Sequence, residues 1–240
     1  MAKQKTELVV DHLLYLLQLN ANNEIVLYSS ALSSQIPTSY AANAFNVFVG
    51  SLRWFEIIRL CALWDRPEID KENIPIIVKL VDDRDVIEAL VEETRSHWPQ
   101  KGGELFISQD DDPGLVGATE QLARIDEQYG NEQATTARSD LQAAIADSCA
   151  ILKSECLARI MNFRDKRLAH SLSQTRRERV APVNPMKPGD EHEILTKSSN
   201  MVEVLYRVVN GKSFSFENSR SINRENAEAL WSGCKFNIAR

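Results

Sequence analysis

Nine glycines and eight prolines are all that punctuate this chain of 240 residues, roughly 7% of positions against about 12% in average proteins. A β-sandwich or barrel needs a turn about every ten residues, and turns draw heavily on these two residue types. Their scarcity selects helices, and the sequence predicts an all-α fold, an up-and-down bundle with additional peripheral helices. The chain is long enough to bury a substantial core. With 43% hydrophobic and 26% charged residues it has none of the polarity of a disordered polypeptide.

Several classes of function fall away on simple grounds. No window approaches about 18 uninterrupted apolar residues, so no membrane span is expected. After Met1-Ala2-Lys3-Gln4-Lys5, Asp11 and His12 interrupt what would be the apolar core of a signal peptide. Cys61, Cys149, Cys156 and Cys234 are scattered without a Cys-x-x-Cys pair, which predicts neither a disulfide framework nor a zinc knuckle and makes the cytoplasm the simplest location. HExxH, GxSxG, P-loop and GxGxxG patterns do not occur, so most hydrolase and nucleotide-cofactor classes lose support and no cofactor is expected.

Helical periodicity places the elements. Leu8, Leu13, Leu16, Leu17, Ile25, Leu27 and Leu32 predict a first helix over 5–35, with Asn20-Ala21-Asn22-Asn23 as its weak point. A second helix over 38–65 starts at Ser39, a good N-cap. From Ala41 to Leu63 its only charged residues are Arg53, Glu56 and Arg59. A helix apolar on so much of its circumference belongs in the middle of a bundle or in an oligomer interface. Asn73 and Pro75 start a short helix, and Asp82 or Asp85 opens the next, running to Trp98. Residues 99–114 read as a loop or hinge. Helix returns from Leu115 to Tyr129 with a break at Gly130-Asn131. Leu141, Ile145, Cys149, Leu152, Cys156, Ile160 and Phe163 then form a stripe at steps of three and four. That stripe predicts one helix running into Arg164–His170 and fraying near Arg176. A Pro-rich loop over 176–189 precedes a helix over 190–210, capped by Asn210-Gly211. Ser213–Phe216 suggests a short strand or extended turn, and 223–235 a terminal helix.

Charge is unevenly spread. The net charge is −6, yet residues 82–127 carry 13 acids against four bases, and 159–179 carry seven bases against Asp165 and Glu178. A positive segment in an acidic protein is a candidate anion-binding face, although a solvated helix end gives the same count. Asp190-Glu191-His192-Glu193 invites a metal reading. Consecutive residues at a helix start point in different directions, however, and acids there complement the helix dipole, so no metal site is expected.

His170 stands out among the four histidines; His12 and His97 have no helpful neighbours in the sequence. It follows Phe163 by seven residues, continuing the apolar stripe toward the interior or an interface. Arg164 precedes it by six, about 120° around and about 9 Å along a straight helix. The two would not meet within one helix but could meet across a two-fold axis. Spacing alone leaves a satisfied core histidine and a catalytic one both open.

The stretch Asn162-Phe163-Arg164-Asp165-Lys166-Arg167-Leu168-Ala169-His170 resembles the Arg–polar–x(3–5)–His signature of HEPN domains (higher eukaryotes and prokaryotes nucleotide-binding). Arg59-Leu60-Cys61-Ala62-Leu63-Trp64-Asp65, the Ile74-Pro75 helix, the Phe-rich turn and the Trp-bearing last helix extend the likeness to the AbiU-type abortive-infection branch, over most of the chain. The resemblance implies one HEPN-like domain over 1–240, built around four core helices and dimeric, with two Arg…His motifs at the dimer cleft. It further implies a metal-independent endoribonuclease of phage defence or toxin systems, acting on RNA and paired with an antitoxin or another defence component; a non-catalytic module binding RNA, nucleotide or protein is the alternative. Arg164, Asp165 and His170 would be catalytic, and Lys166, Arg167, Arg176 and Arg177, with Arg179, would hold the RNA backbone. These residue types suit the chemistry. Histidine changes charge near neutrality and can move the proton of a 2′-hydroxyl, while a guanidinium fork stabilises a pentacoordinate phosphate. The products would carry 2′,3′-cyclic phosphate and 5′-hydroxyl ends. In HEPN toxins silenced by a nucleotidyltransferase a Tyr commonly lies two residues after the His. Leu172 stands there, so that mode of control is not expected.

Overall fold

The computed structural model describes residues 1–96 and 113–238, and its regular elements among these are all helical. They are α1 (Ala2–Tyr28), α2 (Ser30–Ser33), α3 (Tyr40–Ala62), α4 (Ile74–Val81), α5 (Arg84–Ser96), α6 (Pro113–Leu152), α7 (Glu155–Phe163), a π-helical turn (Arg164–Ala169), α8 (Arg176–Val180), α9 (Asp190–Asn210) and α10 (Glu217–Gly233). None of the helices among the described residues is long and apolar enough to cross a membrane. His97 and residues 99–112 of the expected hinge lie outside the described residues; Pro113 and Gly114 already belong to α6.

Helix α1 is the central post. It packs along α9 and α10 and against α3 and α4, while α6 bridges α5 and α9. Val9, Leu13, Leu16 and Leu17 of α1 meet Ile57 and Leu60 of α3, Ile74 and Ile77 of α4, Leu141 of α6, Ile160 of α7 and Ile194, Val202 and Leu205 of α9 in one buried cluster. Within it, the Trp64 indole N–H donates to Ser198 Oγ at 2.9 Å, so the one polar atom of a buried aromatic is satisfied.

The predicted caps at Ser39 and Asn73 are present, each side chain accepting from the backbone N–H three residues on, at 3.3 and 3.0 Å. Asp83, rather than Asp82 or Asp85, caps α5, accepting from the amides of Asp85 and Val86. The first helix ends at Tyr28, where Ser29 is extended, short of the expected residue 35, and runs unbroken through the weak point expected at Asn20–Asn23. Asn23 is instead buried, donating to Leu52 O and to Glu56. The terminal helix begins at Glu217. Ser213–Phe216 forms no strand: Phe214 stacks edge-to-face between Tyr206 and Phe216 and seats Phe216 in the core.

Two corrections concern the helices that lead to the site. Helix α6 runs without a break through Gly130. That glycine is buried, and a Cβ there would lie 3.1 Å from the Arg95 carbonyl oxygen. The missing side chain lets α5 and α6 approach closely, a reason for glycine that local sequence cannot tell from a helix break. Conversely, the stripe from Leu141 to Phe163 is two helices. The chain turns at Lys153, and Ser154 starts α7 by accepting from Leu157 N at 3.2 Å. Cys149 and Leu152 are left exposed.

Helix α3 departs from a central position. Ile57, Leu60 and Cys61 are buried, but Val47 is 70%, Trp54 50% and Phe48 46% exposed. Of the two environments expected for so apolar a helix, the bundle interior is excluded for its first half.

Candidate functional site

Helix α7 is fastened to the bundle by Arg159. Its Nε and Nη2 donate to Asp190 Oδ2 and Oδ1 at 2.8 and 2.6 Å, both side chains being buried. Asp190 also accepts from Lys187 N at 2.8 Å. These hydrogen bonds hold the Asp190 carboxyl below its ordinary range against the cost of burial. Arg159, counted in the sequence with the basic segment, is therefore a structural tie. The residues after it disperse as expected for a helix start: Glu191 accepts from Arg53 at 3.0 Å, and His192 Nδ1 lies 3.4 Å from Glu24. Among the described residues no three His, Cys, Asp or Glu side chains gather in a way that could hold a metal ion.

After Phe163 the hydrogen bonding widens into a π-helical turn over Arg164–Ala169, a local distortion often found at functional sites. His170 ends it, and Ser171 takes a φ of 47°, the sparsely populated left-handed region for a residue with a Cβ. The amide of Leu172 then donates back to Lys166 O at 2.9 Å. This reversal turns His170 away from the stripe it was expected to continue: the residue is exposed, and among the described residues its side chain makes no hydrogen bond or ion pair. The core-histidine reading fails with it. The 120° offset expected between Arg164 and His170 assumed a straight α-helix, which the π turn replaces.

Arg164 is held as a fork between two carboxylates. Nη1 donates to Asp65 Oδ1 at 2.8 Å, and Nε and Nη2 donate to Asp165 Oδ1 at 2.9 and 2.8 Å. Partial burial opposes the charge, but the hydrogen bonds to Asp65 and Asp165 outweigh it and hold the guanidinium protonated beyond its already high ordinary value. Asp65, three residues past the end of α3, entered the sequence reading only as part of a longer stretch. Beneath the fork, burial pushes the Cys61 thiol up to about 12, so this sulfur is inert. His12 faces a cation after all: burial, and then Arg59, lower it to about 4, which keeps it neutral and removes it from acid–base roles.

Glu178 organises the other side. Lys166 Nζ donates to it at 2.9 and 3.1 Å, Asn162 Nδ2 at 3.0 Å and Thr175 N at 3.0 Å. Together with the Thr175 hydroxyl, which accepts from Glu178 N and donates to Asn162 Oδ1, this forms a capping box that starts α8. The segment at 176 is thus a new helical turn, where fraying into a loop was expected. Donors from Lys166, Thr175 and Asn162 pull the Glu178 carboxyl down to about 2. Arg167, Arg176, Arg177 and Arg179 remain exposed with no bonded partner among the described residues.

A cleft of about 380 Å³ opens beside this segment. Arg53, Arg159, Lys166 and Arg167 line it against the single carboxylate of Glu178, with Trp54 in the wall. Arg53, Arg159 and Lys166 are each paired with a carboxylate, so Arg167 alone brings uncompensated positive charge to this wall. Arg53 and Trp54 lie more than 100 residues before the motif, and no local signal joined them to it.

A distorted helix end that presents an arginine fork, a following aspartate and a free histidine from an all-helical bundle defines a HEPN-type domain. The family model for AbiU2 matches residues 3–230, and the chain belongs to this family of HEPN domains. Neither the curated proteins nor the solved structures contain a match.

Proposed function

We propose that this protein is a metal-independent endoribonuclease of phage defence or toxin type, in which His170 moves protons as general acid and base and Arg164 stabilises the phosphate of the transition state. One observation carries the reading: a charged guanidinium held in place at the start of the π turn, whose other end carries an exposed histidine with no side-chain partner among the described residues. Asp165 orients the fork, and a phosphate oxygen finds one aligned N–H donor where it displaces Asp65 and two where it displaces Asp165. Arg167, Arg176 and Arg177 hold the RNA backbone, assisted by Lys166 once Glu178 releases it. Trp54 offers a face on which an unpaired base stacks.

The proposal takes residues 1–240 as one domain that works as a homodimer in the cytoplasm, with RNA as substrate and an antitoxin or another defence component as partner. The exposed apolar half of α3, which ends in the basic cleft, supports a dimer, since contiguous apolar surface of this kind marks contact sites. Total RNA incubated with the protein in EDTA and run on a denaturing gel tests the reading. The wild type is expected to cleave, leaving 2′,3′-cyclic phosphate ends. Loss of about 10³-fold in rate is expected for His170→Ala, with the fold intact because the side chain is exposed. Arg164→Ala should be equally inactive. Cleavage that survives in both variants overturns the assignment.

The saturation of Arg164 by two carboxylates favours a second reading, a HEPN module that binds RNA, nucleotide or protein without turnover. Saturable, salt-sensitive RNA binding with no product after hours would select it.

A further inference from the structure

A cavity of about 730 Å³ lies between the second half of α1, Glu56 of α3, the start of α9 and the face of α10 that carries Trp231. It shares no lining residue with the basic cleft, and its character is opposite: Glu24, Glu56, Glu191 and Glu228 line it, with Arg224 its only arginine or lysine.

Two of its residues contain buried acceptors with no donor. Asn23 is 2% exposed. Its Nδ2 donates to Glu56 Oε2 at 2.5 Å and to Leu52 O at 3.3 Å, which fixes the amide and leaves Oδ1 without a partner. Glu191 is 7% exposed, and while Oε1 accepts from Arg53, Oε2 accepts from nothing. Buried acceptors without donors are costly and uncommon; the carboxylate of Glu191 already meets Arg53, whose Nε is likewise unpartnered, so Asn23 Oδ1 is the acceptor that calls for an N–H or O–H from outside the chain.

Charge points the same way. Glu191 is paired with Arg53, Glu228 with Arg224, and Glu24 lies beside His192. Glu56, 2% exposed, has only the neutral amides of Asn20 and Asn23. Burial pushes its carboxyl up, against those two hydrogen bonds, and no cation among the described residues pairs with it. Ile25, Leu27, Tyr28 and Trp231 add apolar surface to the wall. The Trp231 ring is fixed by its N–H donating to Asn22 Oδ1 at 2.9 Å. An anion would meet four carboxylates, and no metal-holding cluster occurs among the described residues.

We propose that this cavity binds a small organic cation, an ammonium or guanidinium carried on an apolar stem. One of its N–H groups satisfies Asn23 Oδ1, and its charge sits against Glu56. Isothermal titration of the full chain with agmatine, tyramine and spermidine tests this. 3-(4-Hydroxyphenyl)propionate serves as a control that keeps the shape of tyramine and reverses its charge. At least one cation is expected to saturate, and the control is not. Glu56→Gln preserves shape and is expected to weaken binding about tenfold, the effect of one lost charged contact. Glu24→Gln alters only the exposed rim, so it keeps the test decisive if the buried variant does not fold, and should weaken binding about threefold. No saturation by any of the three cations up to about 10 mM, equal affinity for the carboxylate control, or affinity unchanged in the variants would overturn the proposal.

Discussion

The seven cations between Arg159 and Arg179 form two groups that a charge count treats alike. Arg159, Arg164 and Lys166 are spent on carboxylates: Asp190, the Asp65–Asp165 pair and Glu178. Arg167, Arg176, Arg177 and Arg179 have no bonded partner among the described residues. The division follows the fold. The first group sits where α7 and the π turn touch α3 and α9, and a cation there must be paired to be tolerated. Of the second, Arg167 is the exposed cation of the π turn, and Arg176, Arg177 and Arg179 lie on the short helix beyond the reversal, where water satisfies the charge. An excess of five positive charges in the sequence thus becomes a scaffold of fixed ion pairs carrying a smaller set of free arginines, and only the free set can meet an RNA backbone without first giving something up.

The sharpest way to break this comparison is to remove one arginine from each group. Arg159→Ala leaves Asp190 buried without its bidentate partner and is expected to cost about 3 kcal/mol in chemical denaturation. Arg176→Ala touches nothing and should stay within about 0.5 kcal/mol of the wild type. Equal effects would mean that the Arg159 pair does not fasten α7 to α9.

A second prediction concerns pH. The folded protein holds Glu178 near 2, below its ordinary 4.5. A carboxyl lowered on folding contributes stability at pH values above its unfolded value and loses it as pH falls toward the folded one. The clamp on Lys166, Asn162 and Thr175 should therefore be intact from pH 5 upward and open between about 4.5 and 2. Amide exchange at Thr175, whose N–H donates to Glu178, reads it directly. Because this window lies below the range in which histidines ordinarily titrate, a change in RNA cleavage between pH 5 and 8 cannot come from the clamp. Opening of the Thr175 amide above pH 5 would show that Glu178 is not what holds the reversal.

What could be read in advance separates by range. The all-helical class, the caps at Ser39 and Asn73 and the Asn210-Gly211 stop are local facts, set by side chains within three residues of the groups they satisfy. Asp83 was hidden among neighbouring acids of equal capping ability. Gly130 was misread because a helix break and a close helix crossing can both use glycine, and the stripe from Leu141 to Phe163 was read as one helix because apolar spacing does not register the turn at Lys153. The motif residues of the candidate site were legible through their resemblance to a family pattern, but their surroundings were not. Asp65 lies 99 residues from Arg164, and Asp190 lies 31 from Arg159. The π turn that exposes His170 arises from the Leu172-to-Lys166 hydrogen bond and the Thr175–Glu178 capping box, which extrapolation at 100° per residue could not contain.

The smallest effect expected is also the most discriminating between free and tethered cations. Each cation that contacts a phosphate of single-stranded RNA adds about 0.7 to the slope of log affinity against log salt, through release of a counterion. Arg176→Ser and Arg177→Ser should each lower that slope by about this amount and weaken binding several-fold, with little dependence on RNA sequence. Lys166 must leave Glu178 before it can contact a phosphate, and its release restores one uncompensated carboxylate beside the RNA. Lys166→Ser should accordingly change the slope by less than half as much. Fluorescence anisotropy with a labelled oligonucleotide in the His170→Ala background, at four or five salt concentrations, measures all three variants without cleavage. A Lys166 slope change as large as that of Arg176 would place the lysine on the RNA and leave Glu178 as a gate that the RNA opens.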